Sequence, residues 1–509
     1  MHRMLKTARL KSPGFLIMTD LYTLTIREAS KKLKAGEILP SELLKSVINR
    51  IEKIEPKVRA YITQTFDLAR EQAKESDKRY AKNQPLSDLD GIPVALKDVF
   101  ATRGIKTTAA SKILEDFIPA YDATVVTKLA RAGAVILGKV NTDEFTMGSS
   151  TENSAFGVTH NPWDLSRVSG GSSGGSAAAV SSGECLFALG TDTGGSIRQP
   201  SSFCSVSGLK VTYGLVSRNG VISYASSFDT IGPIAKSVAD VAMILNVIAG
   251  NDPLDSTSVR NKLPDYTSFL NKEIKGKKIG VPKEFFGQGL DSEVNKIIEN
   301  SLKTFKLLGA KVEEMSLPST DLAIAMYYII AKSEASSNLA RYDGIRYGKS
   351  EIRNQKSEIE SLIDLYFKNR TVGFGNEAKR SIMMGTHTLS SGYHDAYYKK
   401  ASQIRTLVKK EYEEAFKKYD ALVTPVSPFP AFKIGEKIED PLTMYLADAN
   451  TVPINPAGVP AISIPAGFTE NNLPVGMQII GPHFGEGQII EIADAFQEAT
   501  DFHKKEPNL

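Results

Sequence analysis

The strongest constraint on the fold of this chain is an alternation that begins at Gly91. Short apolar runs (Ile92–Leu96, Ala134–Leu137, Leu186–Leu189) trade places with helical stretches such as Asp122–Arg131 and Ser237–Ala249. Strands that short, separated by crossover helices, specify an α/β fold with a central mixed, largely parallel β-sheet covered by helices on both faces. Residues 277–282 read as a further strand, followed by a helix capped at Asp291. Ala421–Thr424, Ala461–Ile464 and Val475–Ile480 return to the strand pattern. Between them, residues 318–419 are amphipathic and strand-poor, a helical insertion that could lid a site or simply add core. Its clearest helix is Tyr393–Tyr419, with Glu413 four residues ahead of Lys417 as a helical ion pair.

Upstream of the alternation, Thr25 and Glu28 form a capping box. A second helix starts at Ser41 and carries Leu43, Leu44, Val47, Ile48, Ile51 and Ile54 on one face. Ala60–Ile62 can be a strand, and residues 66–82 form a charged surface helix. The expected organisation is an extension over 1–22 and one domain over 23–509. Within that domain, 23–85 are N-terminal helices, 86–317 the core, 318–419 the insertion, and 420–509 the closing strands and helix of the core.

Composition matters chiefly for what it excludes. With 62 Lys+Arg against 58 Asp+Glu over 509 residues and 41% hydrophobic content, the chain is an ordinary globular one. Its net charge of +4 does not suit a protein that coats nucleic acid or an anionic membrane. Cys185 and Cys204 lack any zinc-type spacing. No uncharged apolar run reaches the roughly 18 residues that a bilayer span requires. Residues 1–18 carry Arg3, Lys6, Arg9 and Lys11 and no acid, which fits a disordered extension ahead of an alternative start at Met18, or a transit peptide. The chain is accordingly expected in the cytoplasm, or in the mitochondrion if those residues direct import.

Three segments carry chemistry. In GIPVALKDVF, Lys97 closes an apolar strand; a lysine there ordinarily snorkels to water. SGGSSGGSAAAV, residues 169–180, has a linker's composition but opens onto a small-residue helix, whose first N–H groups converge on negative charge. GTDTGGSIRQP, residues 190–200, follows the Leu186–Leu189 run and presents Ser196 at a strand end, where α/β sheets place ligands. All six histidines lie outside these segments, so a serine nucleophile here lacks its usual base. Lysine can substitute only when neutral. Holding it so at pH 7 costs roughly 4.6 kcal/mol, which near-complete burial can supply. Asp98 threatens that, although successive strand side chains point to opposite faces.

Two rival motifs fail on context. Gly170–Gly174 spells GxSxG, but HNPWDLSRVS before it is not the apolar strand a nucleophile elbow needs. Gly133–Lys139 nearly spells a phosphate loop, but Val140 stands where Ser or Thr should hold magnesium. No ATP site is expected in this chain.

Taken together, ALKD, GGSSGGS and GTDTGGSIRQP resemble the motifs of the amidase signature family. That resemblance implies the amidase signature fold and a Ser–cis-Ser–Lys triad. Ser196 would be the acyl-forming nucleophile, Ser172 after a cis Gly171–Ser172 bond the proton relay, and Lys97 the ultimate base, with Ser173 a neighbour. Backbone N–H groups of Thr193, Gly194 and Gly195 would form the oxyanion hole, at roughly 3 kcal/mol per donor. Further segments (MGSSTENSAFGVTHNPWD, GLKVTYGLVSR, EASSNLARYDGIRYG, SSGYHDAYYKKA and PAGVPAISIPAGF) are similar to the A subunits of glutamyl-tRNA(Gln) amidotransferases from about residue 23 onward. The narrower likeness implies glutamine hydrolysis through an acyl-Ser196 intermediate. Ammonia would pass to a B subunit that amidates Glu-tRNA(Gln) with ATP and Mg, and a small C subunit would clamp the heterotrimer. No cofactor is expected in this chain itself. Arg380 and Asp448 match the positions the family uses for the glutamine carboxylate and ammonium. Met147, Gly148 and Ser149, with Tyr327 or Tyr328, would line the same pocket. Where relatives tend to carry a second basic residue after Arg380, this chain has Ser381, so the assignment could shift by one. A stand-alone amidase for a small amide is the alternative reading.

Overall fold

In a computed structural model, the described residues are 20–287, 289–349, 359–438 and 440–509. The expectations for residues 1–18 lie outside them. The strands are β1 (Tyr61–Gln64), β2 (Pro93–Lys97), β3 (Val135–Val140), β4 (His160–Asn161), β5 (Asp164–Val168), β6 (Phe187–Asp192), β7 (Ser207–Lys210), β8 (Thr230–Ala235), β9 (Lys278–Pro282), β10 (Lys311–Met315), β11 (Ala421–Pro425), β12 (Ala461–Phe468) and β13 (Pro474–Ile480). All but the β4–β5 hairpin join one sheet of 11 strands in the order β1-β3-β2-β6-β8-β7-β12-β13-β11-β9-β10. The sheet is mixed. Parallel ladders β3-β2-β6 and β11-β9-β10 flank an antiparallel block from β8 to β13. Every residue of β2, β3 and β6 is buried, as their unbroken apolar runs require of strands covered on both faces.

Fifteen α-helices complete the described chain. The first three are α1 (Ile26–Lys34), α2 (Pro40–Val58) and α3 (Phe66–Ala81); α1 carries the Thr25–Glu28 capping box. Next come α4 (Thr124–Arg131), α5 (Gly174–Ser181), α6 (Arg198–Phe203), α7 (Val238–Ile248) and α8 (Ser292–Leu307), the last capped by Asp291. Four long helices follow: α9 (Thr320–Leu339), α10 (Leu362–Gly373), α11 (Asn376–Leu389) and α12 (Lys400–Ala415). The chain closes with α13 (Pro441–Leu446), α14 (Ile454–Ala457) and α15 (Glu486–Glu498). None of the described helices is long and apolar enough to cross a membrane.

One expectation fails inside α12. Glu413 does not pair with Lys417; it meets Lys409 at 3.7 Å, and Lys417 reaches Glu414 at 2.5 Å. The helix ends at Ala415, so Lys417 sits in a turn where the spacing of four no longer aligns side chains. The helix also starts later than expected, with a π-helical turn over Asp395–Lys399 leading into it.

Two large hydrophobic clusters organise the described residues, with a smaller third around Phe203 and Phe432. One surrounds the sheet, drawing on α2, α5, α7 and α15. The other lies between the sheet and α9–α12, where Phe145 packs on Tyr342 and Phe374 at 5.0 and 5.7 Å between ring centroids. The active-site candidates lie near the boundary between these two cores.

Candidate active site

Strands β2 and β6 are parallel neighbours, with Leu96 opposite Leu189, so their C-terminal ends share one edge of the sheet. Lys97 ends β2, and the turn after β6 carries Ser196. The SGGSSGGS segment crosses the same edge before α5. It is no linker, because every residue from Ser169 to Val180 is buried. A Cβ on Gly175 would stand 2.5 Å from the Asn141 amide nitrogen, so only glycine permits that approach.

The Lys97 side chain is fully buried. Its Nζ lies 2.7 Å from Ser172 Oγ, 2.9 Å from Ser173 Oγ and 2.8 Å from Thr191 Oγ1. Among the described residues no carboxylate forms an ion pair with it. Asp98 points to the opposite face, 3.3 Å from Lys139 and accepting the Thr108 amide at 2.9 Å. Burial pulls the Lys97 amine down to about 7 against the more distant charges of Asp143, Asp192 and Asp229. The three hydrogen bonds fit an ammonium that donates to all three hydroxyls, and equally a neutral amine that donates to two and accepts from the third. Ser173 donates its own hydrogen to the Thr191 carbonyl at 3.1 Å and so must accept from Lys97. In its neutral form the amine has a lone pair for a neighbouring hydroxyl.

The peptide bond Gly171–Ser172 is cis. Ser196 is buried, with 7% of its surface exposed, and its carbonyl accepts the Ser173 amide at 3.1 Å. Among the described hydrogen bonds, none joins Ser172 Oγ to Ser196 Oγ. The turn itself is held from below by Asp192. That carboxylate accepts from the amides of Gly195 at 2.9 Å and Ile197 at 3.2 Å, from Arg198 Nε and Nη2 at 3.0 Å each, and from Asn455 at 2.9 Å. Burial alone would raise the Asp192 carboxyl, but the Arg198 guanidinium outweighs it and holds the group at about 2.

This network corrects the expectation for Gly195: its N–H is engaged by a buried, ionised carboxylate. The amides of Thr193, Gly194 and Ser196 have no hydrogen-bond partner among the described residues. The Gly194 carbonyl accepts from Thr451 at 2.7 Å, and the Thr193 hydroxyl donates to Asp229 at 2.7 Å, which fixes the direction of the turn.

Ser196 opens into a cleft shared by Gly148, Ser149, Gly194, Tyr327, Tyr328, Arg380 and Asp448. Met147 is the exception among the expected lining residues. Its thioether packs into the second core, 1% exposed, because it follows Phe145 into that apolar cluster. Tyr327 is close enough that a Cβ on Gly194 would meet its hydroxyl at 2.6 Å. Asp448 accepts from Ser149, and burial pushes its carboxyl up to about 7. The free volume is about 40 Å³, which at roughly 10–15 Å³ each holds a few waters and no amino acid. Entry of a larger ligand therefore needs side chains at the mouth to swing aside.

Lys332, Glu377, Tyr224 and Tyr445 also line the cleft and were not anticipated. Arg380, 40% exposed in its side chain, pairs with Glu377 one turn earlier on α11. The available signal was spacing: Tyr328 and Lys332 stand four apart on α9, as do Glu377 and Ser381 on α11, so each pair shares a face. Among the described residues no group of three or more His, Cys, Asp or Glu side chains could hold a metal ion.

The amidase family model matches residues 42–490. The A subunit of glutamyl-tRNA(Gln) amidotransferase from Carboxydothermus hydrogenoformans is 54% identical over 490 residues, covering 96% of this chain and 100% of that one. Its counterpart from Caldanaerobacter subterraneus is 56% identical over 486 residues, covering 96% and 98%. The crystal structure of the Thermotoga maritima counterpart superimposes with a TM-score of 0.78 at 44% identity, covering 94% of this chain and 95% of that one. A bacterial aryl acylamidase of the amidase signature family gives 0.82 at 27% identity, covering 96% of this chain and all of that one. The chain thus belongs to the amidase family, in the branch of the glutamyl-tRNA(Gln) amidotransferase A subunits.

Proposed function

We propose that this chain is the glutaminase subunit of an ATP-dependent tRNA amidotransferase. Ser196 attacks the side-chain amide carbon of glutamine. Its proton moves to Ser172 as the hydrogen of Ser172 moves to neutral Lys97; the bond between the serines forms as the Ser196 side chain turns toward Ser172. The amides of Thr193 and Gly194 hold the oxyanion. Collapse of the adduct breaks the C–N bond, and the departing nitrogen takes a proton back along the same path and leaves as ammonia. Water, activated by the same base, then releases glutamate from Ser196. At the other end of the cleft, Arg380 binds the α-carboxylate and Asp448 the α-ammonium.

Ammonia is then used by a B subunit, which consumes ATP with Mg and converts Glu-tRNA(Gln) to Gln-tRNA(Gln), while a C subunit clamps the two. The near-balanced charge of this chain fits tRNA contact made mainly by the B subunit. The cytoplasm is the compartment this reading requires, or the mitochondrion if residues 1–18 direct import.

The observation that carries the reading is a buried lysine partnered only by hydroxyls, beside a serine whose cleft holds a cation and an anion for an amino acid's two charges. The test is co-expression with B and C subunits and measurement of glutamine breakdown. Glu-tRNA(Gln) with ATP should stimulate it, and a glutamyl ester should be trappable on Ser196. Faster hydrolysis of amides lacking the α-carboxylate would favour a stand-alone amidase instead.

A further inference from the structure

Lys332 enters the cleft from α9 and is buried. Its ammonium lies 2.6 Å from Glu377 Oε1 and 2.8 Å from Ser381 Oγ, both on α11. Three tyrosine rings surround it, with centroids 5.9, 5.6 and 5.3 Å away for Tyr224, Tyr328 and Tyr445. An ammonium has three donors, and two are used here, so one remains for a ligand in the cleft. Glu377 is the hub. Besides Lys332 it takes Arg380, and its Oε1 accepts the Tyr445 hydroxyl at 3.1 Å. Two cations on one carboxylate leave a net positive charge in this part of the cleft.

Ser381 explains why the lysine fits. Its side chain is fully buried and faces Lys332, and a longer residue at that position would occupy the space of the ammonium. Arg380 by contrast keeps 40% of its side chain exposed. We infer that Lys332 is a second carboxylate-binding residue of this cleft: it shares the substrate α-carboxylate with Arg380 and supplies from α9 a cation that Ser381 cannot supply from α11. The inference rests on the glutaminase reading and deepens it.

The test compares glutamine with butanamide, an amide without the α-carboxylate, as substrates of the full chain co-expressed with its partner subunits. Lys332→Met should raise the glutamine KM by about 10- to 100-fold, the range for a lost charged hydrogen bond, with butanamide turnover unchanged. The exchange variant Lys332→Ser/Ser381→Arg, which moves the cation from one helix to the other, should recover most of the loss. An unchanged glutamine KM in Lys332→Met assigns the carboxylate to Arg380 alone and overturns the inference. Equal loss on both substrates, or no recovery in a folded exchange variant, assigns Lys332 a structural role and overturns it too. If the parent chain itself shows no preference for glutamine over butanamide, the glutaminase reading fails first, and that outcome is distinct.

Discussion

Lys97 and Lys332 are both buried lysines, but among the described residues only Lys332 lines the cleft and only Lys332 pairs with a carboxylate. Around Lys97 stand three hydroxyls and no ion-paired carboxylate, and burial brings its amine down to about 7. Around Lys332 stand a hydroxyl, aromatic faces and Glu377. That carboxylate is held below its ordinary range, against the burial that would raise it, by the Lys332 charge first and by Arg380. A hydroxyl neighbour can accept a hydrogen bond from either form of an amine, whereas a carboxylate favours the ammonium. Burial lowers the Lys332 amine as well, but the Glu377 charge and hydrogen bond oppose that, so the first lysine is suited to taking a proton and the second is the one with a partner for its charge.

Removing the first lysine is the largest perturbation. Lys97→Met should lower glutamine hydrolysis by about 10²- to 10⁴-fold, the usual contribution of a positioned base. It should also stabilise the fold. The folded-state value of about 7 lies below the unfolded value of 10.5, so the unfolded chain binds more protons between those limits. The penalty is fully present below about pH 7 and fades as pH rises toward 10.5. Thermal unfolding should therefore show a gain of up to about 4 kcal/mol at pH 7 that shrinks on going alkaline. A variant that is both inactive and no more stable would break the comparison.

The pH profile comes next. At saturating glutamine, where the substrate ammonium keeps Asp448 ionised, kcat should fall about tenfold per pH unit below about 7 as Lys97 protonates. The glutamine KM should rise over the same range in the parent chain, because the Asp448 carboxyl titrates near 7 before substrate binds. Asp448→Asn should abolish that second dependence and leave the first. Parallel profiles for the parent chain and Asp448→Asn would mean that only one group is being observed.

Converting the second lysine into a copy of the first sharpens the contrast. Glu377→Gln removes the paired carboxylate and leaves burial and the Arg380 charge, both of which disfavour the Lys332 ammonium, against the weaker pull of Asp448, so the ammonium should become titratable in the working range. The glutamine KM should then worsen with rising pH, by about tenfold at pH 9 relative to pH 7, with butanamide turnover flat throughout. The smallest effect belongs to Ser381→Ala, which removes one hydroxyl from Lys332. A neutral partner contributes about 0.5–1.5 kcal/mol, so the KM should move by no more than about tenfold, with no new pH dependence.

Several parts of this arrangement were legible before any coordinates. The strand runs ending at Lys97 and Asp192 are short, apolar and flanked by turn residues, so local pattern defines them. Asp98, the residue after β2, does turn away from Lys97 and toward Lys139. Lys332 was not legible, because a lysine between Ala331 and Ser333 on a helix reads as solvated until α11 is packed against it. Met147 misled for the opposite reason: its neighbours in sequence line the cleft while its own side chain turns into the second core. The Gly195 amide was misread because a backbone donor carries no mark in sequence of the acceptor it will meet.

The sequence by itself determined most of the elements and the glycine-rich crossings, since these depend on local propensity, and it marked Lys97, Ser172 and Ser196 as triad candidates through the likeness of their short motifs to a family's. Only the tertiary structure decided how each buried charge is stabilised. That depends on which side chains from distant segments converge within about 3 Å, and Coulomb energy and desolvation vary too steeply over that distance for sequence spacing to predict them.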